Sequence, residues 1–344
     1  MSERHTPDTY GLADAAAMFP ERLPSVLEAA RRALAGFGAA DVRAVAACGV
    51  GTGGLAAEAV MALGAPHLAV PFWIGHGAEV PAFVDRHTLF IALSSSGASE
   101  ETVAAADEAA RRGARVVAVG GDAPSALARM AADVGLPWCP RGETGARTVE
   151  ALAAGVVSVL VTLAAAGLAP DVAPRLGAAA ASLARRRDAF VGPDGRAAAL
   201  ARRIGRTIPL VYGAEGVDAV AARWWKARVN LNAKAPAFAG AVPACTYDEL
   251  AGWGQGGDIT RQVVSLVLLR RQEESPGLAR LFEAVVAECD EVMADLIEVR
   301  ATGEDDLDRF FELALLGELV SLVLARHEGV DPGPAPGIDE AHTR

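Results

Sequence analysis

Lysine is almost absent from this chain: only Lys226 and Lys234 occur in its 344 residues. Basic residues are outnumbered as well, since 32 Lys and Arg stand against 43 Asp and Glu, which gives a formal net charge of −11. A protein that binds the phosphate backbone of nucleic acid needs clustered Lys and Arg to displace counterions. The composition therefore predicts no nucleic acid partner, and arginine must supply most of the cations at any anion site.

Cysteine is scarce, and its spacing excludes two classes of small-domain architecture. The four cysteines lie far apart and none belongs to a C-x-x-C motif, so neither a zinc knuckle nor a disulfide framework is predicted. We expect all four to be reduced residues of the core. They are Cys48, Cys139, Cys245 and Cys289.

The six histidines also lack a metal-binding spacing, so no metal is predicted. His76 is the only histidine that we single out for a test, because it lies in a glycine-flanked loop after the second predicted strand. The alternative is a solvated loop histidine.

No secretory signal is predicted, because residues 1–14 mix charges and contain no apolar core region. A cytoplasmic location is therefore expected. One charge-free stretch, Ala151 to Pro170, approaches the length of a membrane span. It is rich in Ala and Gly and lacks flanking aromatic and basic anchors, so we predict a helix buried between two lobes and no membrane partner.

Short apolar runs alternate with longer Ala-rich segments, a pattern typical of parallel sheets that helices cover on both faces. The predicted fold class is α/β with two doubly wound parallel sheets. The predicted strands are Val42–Cys48, His67–Ile74, Thr88–Ser94, Arg115–Gly120, Leu136–Cys139, Pro209–Gly213, Val263–Leu269 and Leu296–Ala301. The predicted helices are Gly53–Leu63, Ser99–Arg112, Pro124–Ala132, Arg147–Gly167, Val217–Lys234, Pro276–Asp295 and Asp305–Arg326.

The prolines near position 170 mark the seam between the two sheets. We predict a helical lead-in over residues 1–40, a first domain over 41–170 and a second over 171–330. Residues 331–344 form a proline-rich tail that cannot extend the last helix.

A glycine cluster over residues 49–54 follows the first strand and opens a helix, where backbone N–H groups can face an anion. Gly49, Gly51 and Gly54 have the spacing of a dinucleotide-binding turn. That site also requires a carboxylate near the end of the next strand, and the first one present is Glu79. A purely structural tight turn is the other alternative.

A serine-rich turn over residues 94–99 follows the third strand. Ser94, Ser96 and Ser99 would gather three hydroxyl groups at the start of a helix, where donors can satisfy the oxygens of a phosphate. Ser99 is equally well placed as an ordinary N-cap. On spacing alone, phosphate binding and helix capping are equally favoured.

The run Ser-x-Ser-Gly-x-Ser-Glu-Glu-Thr after an apolar strand resembles the signature of sugar isomerase (SIS) domains, in which this loop holds a sugar phosphate. The chain more closely resembles the bifunctional phosphoglucose/phosphomannose isomerases, which have two such domains. The resemblance extends from about Val45 to Pro332. It rests on residues 49–58 and 94–102, Arg147, residues 223–234, the pair Gly252-Trp253, and residues 330–332.

This resemblance implies two SIS sheets, a homodimer, a small phosphorylated sugar as ligand, and no cofactor. An interface also suits the apolar excess of an Ala- and Leu-rich chain. The residues that it implies for substrate binding are Gly51, Thr52, Gly53, Ser94, Ser96, Ser99 and Arg147. Gly53 stands where the family usually has serine, and Ser99 replaces a threonine.

The chain departs from the family at residues that the reaction needs. Moving a proton between C1 and C2 of an opened sugar requires a base, a group for ring opening and a cation near the enediolate. Leu231 stands where the family has its catalytic glutamate, and Tyr247 where it has the histidine that assists ring opening. No lysine follows Lys234, although the family has one in its C-terminal arm.

Four residues remain as catalytic candidates: Arg147, which matches the arginine that steadies the enediolate, and the run Tyr247-Asp248-Glu249. The alternatives are a surface arginine and an ordinary loop with a helix cap. Three functions stay open: an isomerase-like enzyme with a relocated base, a catalytically silent sugar-phosphate sensor or partner subunit, and an enzyme with a different reaction on a phosphorylated sugar.

Overall fold

The computed structural model describes residues 8–64, 67–122, 124–140, 145 and 147–335. The chain divides into two compact units. The N-terminal unit comprises residues 21–180, and the C-terminal unit comprises residues 8–20 together with 181–335. The predicted helical lead-in is thus divided between the units, and the predicted tail lies outside the described residues from position 336 onward.

The N-terminal unit contains a five-stranded parallel sheet in the order β2-β1-β3-β4-β5. Its strands are β1 (Ala44–Gly49), β2 (Phe72–Gly75), β3 (Thr88–Leu93), β4 (Arg115–Val119) and β5 (Trp138–Cys139). Its helices are α2 (Phe19–Ala33), α3 (Thr52–Gly64), α4 (Glu100–Arg111), α5 (Ala126–Val134) and α6 (Val149–Ala165). Strand β3 is buried along its whole length, as its unbroken apolar sequence requires.

The charge-free stretch of the sequence forms α6, and the prediction that this helix is buried is confirmed. Every residue from Val149 to Leu163 is buried. Its only ionisable side chain, Glu150, accepts a hydrogen bond from Nη1 of Arg22 at 3.0 Å. Within the described ranges, no helix is both long and apolar enough to cross a membrane.

The C-terminal unit contains a four-stranded parallel sheet in the order β7-β6-β8-β9. The strands are β6 (Ile208–Ala214), β7 (Phe238–Val242), β8 (Val264–Arg271) and β9 (Asp295–Ala301). The helices are α1 (Leu12–Ala17), α8 (Arg196–Ile204), α9 (Val217–Arg228), α10 (Leu250–Gln255), α11 (Gly257–Val263), α12 (Pro276–Cys289) and α13 (Asp306–Glu328). Helix α7 (Ala173–Phe190) spans the boundary between the units. The predicted fold class, two parallel sheets with helices on both faces, is confirmed.

Several predicted boundaries were wrong, and one strand and several helices were missed. The edge strand β7 was not predicted because its small residues lack the β-branched pattern of a buried strand. Helices α7 and α8 were missed in an Ala- and Arg-rich region, and the short helices α10 and α11 in a glycine-rich one. The helix predicted over residues 217–234 ends at Arg228, where a π-helical turn over Val229–Ala233 follows. Helix α12 ends at Cys289, six residues before its predicted end.

The two sheets share a register at their carboxyl ends. In the N-terminal unit Gly49 at the end of β1 pairs with Leu93 at the end of β3. In the C-terminal unit Gly213 on β6 pairs with Leu269 on β8. The sheets therefore repeat each other closely, as the two Gly-terminated strands predicted.

The four cysteines are free and buried, which confirms their predicted place in the core. Burial raises the pKa of Cys48 to about 11, so its thiol stays protonated and unreactive near neutral pH.

Candidate functional site

The serine loop, defined as residues 94–99, joins the end of β3 to the start of α4. Ser94 is buried and Ser96 is exposed. The hydroxyl group of Ser94 donates to Oγ of Ser99 at 3.0 Å, and the backbone N–H of Ser99 donates to Oγ of Ser94 at 3.3 Å. The loop therefore holds Ser94 and Ser99 together at the beginning of α4, whereas Ser96 accepts from the N–H of Ala98.

Helix capping does not use the side chain of Ser99. Ser99 occupies the N-cap position of α4, but it makes no side-chain cap hydrogen bond. By contrast, Ser125, Thr148 and Ser275 each accept a hydrogen bond from a first-turn N–H of α5, α6 and α12. The first N–H groups of a helix have no partner inside the helix. The start of α4 therefore keeps donors available to an anion.

A small pocket of about 10 Å³ adjoins the loop inside the N-terminal unit. It is lined by Gly53, Leu93, Ser94, Ser95, Val119, Gly120, Ala151, Ala154 and Gly155. Small residues from α6 form one wall, and the ends of β3 and β4 form another. Gly120 has φ +98°, and a Cβ added there would lie 2.4 Å from the carbonyl oxygen of Ser94, so only glycine allows these strand ends to approach.

The glycine cluster packs α3 directly against the end of β3. A Cβ added at Gly53 would lie 2.5 Å from the carbonyl oxygen of Leu93, a contact that no side chain tolerates. Gly51 has φ +55° with open space beside it, which suits a tight turn. Thr52, the first residue of α3, is buried. Close packing thus explains the glycine at position 53, and a role for these three residues in substrate binding stays a prediction.

His76 contacts the protein through both ring nitrogens. Its Nδ1 lies 3.0 Å from the carbonyl oxygen of Gly49, and its Nε2 lies 3.2 Å from Oε1 of Glu58. The residue therefore ties the glycine cluster to the loop after β2. Its side chain is nevertheless 54% exposed, so His76 is a solvated loop residue with two structural contacts.

Arg147 is half-buried and precedes the N-cap Thr148 of α6 by one residue. It lies in the same unit as the serine loop. A guanidinium group there is suitable for binding an anion through its fixed donors. Its proposed contact with an enediolate stays a prediction.

The run Tyr247-Asp248-Glu249 lies in the C-terminal unit before α10, and all three residues are exposed. The side chain of Tyr247 is 86% exposed. Among the described residues, only Glu249 of the three has a side-chain hydrogen bond: Oε2 accepts from the phenol of Tyr212 at 2.6 Å. The structure therefore singles out Glu249 as the best-positioned carboxylate of the run.

Tyr212, which no sequence pattern indicated as a site residue, lies fully buried on β6. Its hydroxyl group accepts from Nε1 of Trp253 at 3.3 Å while it donates to Glu249. Burial, together with the neighbouring Glu249, raises the pKa of Tyr212, so the phenol remains a hydrogen-bond donor. Its sequence signal was a lone tyrosine near the end of an otherwise aliphatic buried strand.

Leu231, which is expected to stand at the family's glutamate position, lies half-buried in the π-helical turn. The next residue, Asn232, is buried and donates from Nδ2 to Oγ of Ser321 at 2.8 Å and to Oε1 of Glu318 at 3.5 Å. Such turns often occur at functional sites. Glu318 is 1% exposed, and its Oε2 has no hydrogen-bond partner. This carboxylate lies inside the apolar run of α13 and was not among the predicted site residues.

Burial raises the pKa of Glu318 from 4.5 to about 7, although Arg228 and Asn232 lower it. A carboxyl with a raised pKa in the folded state costs stability as pH rises from its ordinary value through the folded value. We therefore expect Glu318→Gln to match wild-type stability at pH 4 and to exceed it at pH 8 by up to about 3 kcal/mol. Urea unfolding across this pH range measures the difference.

Glu312→Gln is the matched control, because Glu312 is also buried on α13 but pairs with Arg186. Loss of that pair is expected to destabilise the protein at pH 8. A difference between wild type and Glu318→Gln that does not change with pH would contradict the account of Glu318.

Among the described residues, no three His, Cys, Asp or Glu side chains come together as a metal site would require. The chemistry available in the structure is thus of two kinds. The serine loop offers hydroxyl and N–H donors for an anion, and the Glu249 region offers a carboxylate held by a phenol.

Each of the two units matches a known protein family. The family described as "SIS domain" matches residues 44–168. The family described as "Bacterial phospho-glucose isomerase C-terminal SIS domain" matches residues 194–344. A bifunctional phosphoglucose/phosphomannose isomerase from Caldicellulosiruptor bescii is 25% identical over 327 residues, covering 93% of this chain and 94% of that protein.

Solved structures show the same fold at low sequence identity. A hypothetical protein from Thermus thermophilus has a TM-score of 0.73 and 16% identity, covering 99% of this chain and 91% of that chain. A structure described as glucosamine-6-phosphate deaminase from Thermotoga maritima has a TM-score of 0.69 and 13% identity, covering 94% of this chain and 97% of that chain. These likenesses show the fold alone.

Proposed function

We propose that this chain, a protein of two SIS domains that resembles the bifunctional phosphoglucose/phosphomannose isomerases, binds a phosphorylated sugar through the serine loop. The names of the relatives indicate the class of ligand, and the serine loop contains the hydrogen-bond donors that would bind its phosphate group.

The main observation behind this proposal is that the N-cap residue of α4, Ser99, makes no side-chain cap hydrogen bond. The hydroxyl group of Ser99 bonds to Ser94 rather than to the helix that it begins. A residue present only to cap the helix would instead accept from a first-turn N–H. The start of α4 thus combines hydroxyl donors, N–H donors and the positive end of the helix dipole, which together suit a phosphate dianion.

Calorimetry with fructose 6-phosphate and with fructose tests this proposal. Binding of the phosphorylated sugar alone is the expected result, because the phosphate supplies the charge-assisted hydrogen bonds. Equal affinity for the two sugars would refute a phosphate-directed site.

The usual isomerisation is proposed to be weak or absent. Leu231 offers no proton acceptor at the position of the family's glutamate, and Tyr247 replaces the histidine that assists ring opening. Glu249 is the first candidate for a replacement base, since its carboxylate is exposed and oriented by Tyr212. Asp248 is the second candidate. Such a base would give an isomerase-like enzyme with altered activity.

Two other functions fit the same binding site. A catalytically silent sensor or partner subunit would bind the sugar phosphate and return it unchanged, whereas an enzyme with a different reaction would consume it. Prolonged incubation with fructose 6-phosphate, followed by mass spectrometry and sugar analysis, distinguishes them: an unchanged ligand favours the sensor, and a new mass favours the different reaction.

A homodimer is part of the proposal. The C-terminal unit exposes the large apolar side chains of Phe238, Tyr247, Ile259 and Val263, which are available to an interface. Sedimentation at micromolar concentration is expected to show a dimer. Ile259→Glu should weaken it at least about tenfold by burying an unpaired charge, whereas Val134→Glu in the N-terminal unit should not. A wild-type monomer would refute the dimer.

A further inference from the structure

The C-terminal unit contains a segment at the position of the serine loop with the same spacing to the helix that follows. Gly49 and Leu93 pair across β1 and β3, as Gly213 and Leu269 pair across β6 and β8. The N-cap Ser99 of α4 follows Leu93 after the same chain length as the N-cap Ser275 of α12 follows Leu269. This segment, the second loop (residues 270–275), comprises the last two residues of β8 and the four residues that precede α12, and it is the topological equivalent of the serine loop.

The chemistry of the two loops differs completely. Ser94, the first residue of the serine loop, corresponds to Arg270, and both are buried. The second loop also contains Glu274, whose carboxylate turns back onto Arg270. Arg270 donates from Nε to Oε1 at 3.0 Å and from Nη2 to Oε2 at 2.5 Å. The backbone N–H of Arg271 donates to Oε1 at 3.3 Å.

These contacts are the ones that a bound phosphate would receive. A guanidinium edge binds two oxygens of an anion at once, and the N–H of Arg271 at the end of β8 adds a third bond. Burial by itself raises the pKa of Glu274, but the pairing with Arg270 outweighs it and lowers the pKa, so the carboxylate is charged. An internal anion already fills the second loop.

We propose that Arg270 and the N–H of Arg271 form a second anion site, which Glu274 occupies in the resting protein and thereby closes to phosphate. This inference rests on the proposed function: because Glu274 occupies the second site, each chain binds one sugar phosphate, at the serine loop. The carboxylate competes at an effective concentration that a free anion cannot match, since it is attached to the loop.

The neighbouring charges allow this site to open once Glu274 is removed. Glu298 accepts from Nη1 of Arg270 at 2.7 Å, which leaves the Nε and Nη2 edge to a ligand. Arg271 points its guanidinium group at Asp218, with Nε 2.6 Å from Oδ2, so only its backbone N–H takes part. The side chain of Ser275 caps α12, so it is not part of the proposed anion site.

The test uses inorganic phosphate and a background, Ser96→Ala/Ser99→Ala, that removes the first site. Calorimetry should show no phosphate binding to this background. Adding Glu274→Ala should create one saturable phosphate site, because three donors lose their internal partner. Adding Arg270→Ala to that variant should abolish the new site.

Glu273→Ala is the matched control, because Glu273 is the exposed neighbour with the same charge and chain length. It should leave phosphate binding unchanged, which excludes a general effect of net charge. Circular dichroism checks each fold, and Glu274→Ser replaces Glu274→Ala if the latter unfolds.

A folded Glu274 variant without a new site, or a gain that Glu273→Ala reproduces, would overturn the proposal. So would a wild-type chain that binds two phosphates. Because the Glu274 comparison is made without the first site, its result is independent of whether the serine loop binds sugar phosphates in the wild type.

Discussion

Replacing Ser96 and Ser99 with alanine is expected to weaken binding of fructose 6-phosphate by more than about a hundredfold. A hydrogen bond to a charged group contributes about 1.5–3 kcal/mol, and two such losses together exceed a factor of one hundred. The fold should be retained, because Ser99 makes no cap bond and Ser96 is exposed, and within the described part of the chain the only bond that Ser99→Ala removes from the loop is the one from Ser94 to the Ser99 hydroxyl group. Calorimetry gives the affinity and urea unfolding gives the stability.

Ser275→Ala is the control that separates the two roles of an N-cap serine. Ser275 occupies the equivalent position in the C-terminal unit, but its hydroxyl group accepts from the N–H of Leu278. This variant should lose about 1 kcal/mol of stability and keep its affinity for the sugar phosphate. Unchanged affinity in the Ser96 and Ser99 variant would contradict the assignment of the serine loop.

The second large effect concerns exchange of the C2 hydrogen of glucose 6-phosphate with solvent deuterium. We expect the wild type to show none, since the leucine at position 231 cannot accept a proton and general acid–base groups each contribute ~10² to 10⁴ in rate. Leu231→Glu together with Tyr247→His should restore measurable exchange. Proton NMR in deuterium oxide follows the signal directly.

Leu231→Gln with Tyr247→His is the matched control, because glutamine has nearly the shape of glutamate and no basic carboxylate. It should remain inactive. Fast exchange by the wild type would show that another group acts as base. Glu249→Gln and Asp248→Asn would then identify it, and the interpretation of Leu231 as disabling would be wrong.

Local patterns were enough to predict most of the fold. Strand β3 is an unbroken apolar run, and its continuous burial follows from that sequence alone. Helix α6 was predicted as buried because residues 151–170 lack charges, and the structure agrees. Strand β7 could not be predicted in this way, because an edge strand with small, partly exposed residues carries little hydrophobic signal.

The candidate site was predictable only where its residues are neighbours in sequence. The serine loop is contiguous, so the order of its residues is enough to place the hydroxyl groups of Ser94 and Ser99 together. The bond between Tyr212 and Glu249 joins residues 37 positions apart, and that between Asn232 and Glu318 joins residues 86 apart. Such pairs depend on how strands and helices pack, which periodicity does not specify.

The pairing of Glu274 with Arg270 could not be interpreted from the sequence although the two residues are close in the chain. These residues lie only four positions apart, and their spacing is visible in the sequence. A role for this pair can be inferred only after the register of the two sheets has aligned residues 270–275 with the serine loop. A charge pair on a loop has no evident role until the equivalent loop in the other unit is known.

A crystal structure with fructose 6-phosphate would show whether the serine loop binds the phosphate. We expect electron density for the phosphate at the start of α4, with its oxygens within about 3 Å of the Ser96 and Ser99 hydroxyl groups. Density for the phosphate at any other place in the protein, with the serine loop empty, would refute binding at this loop.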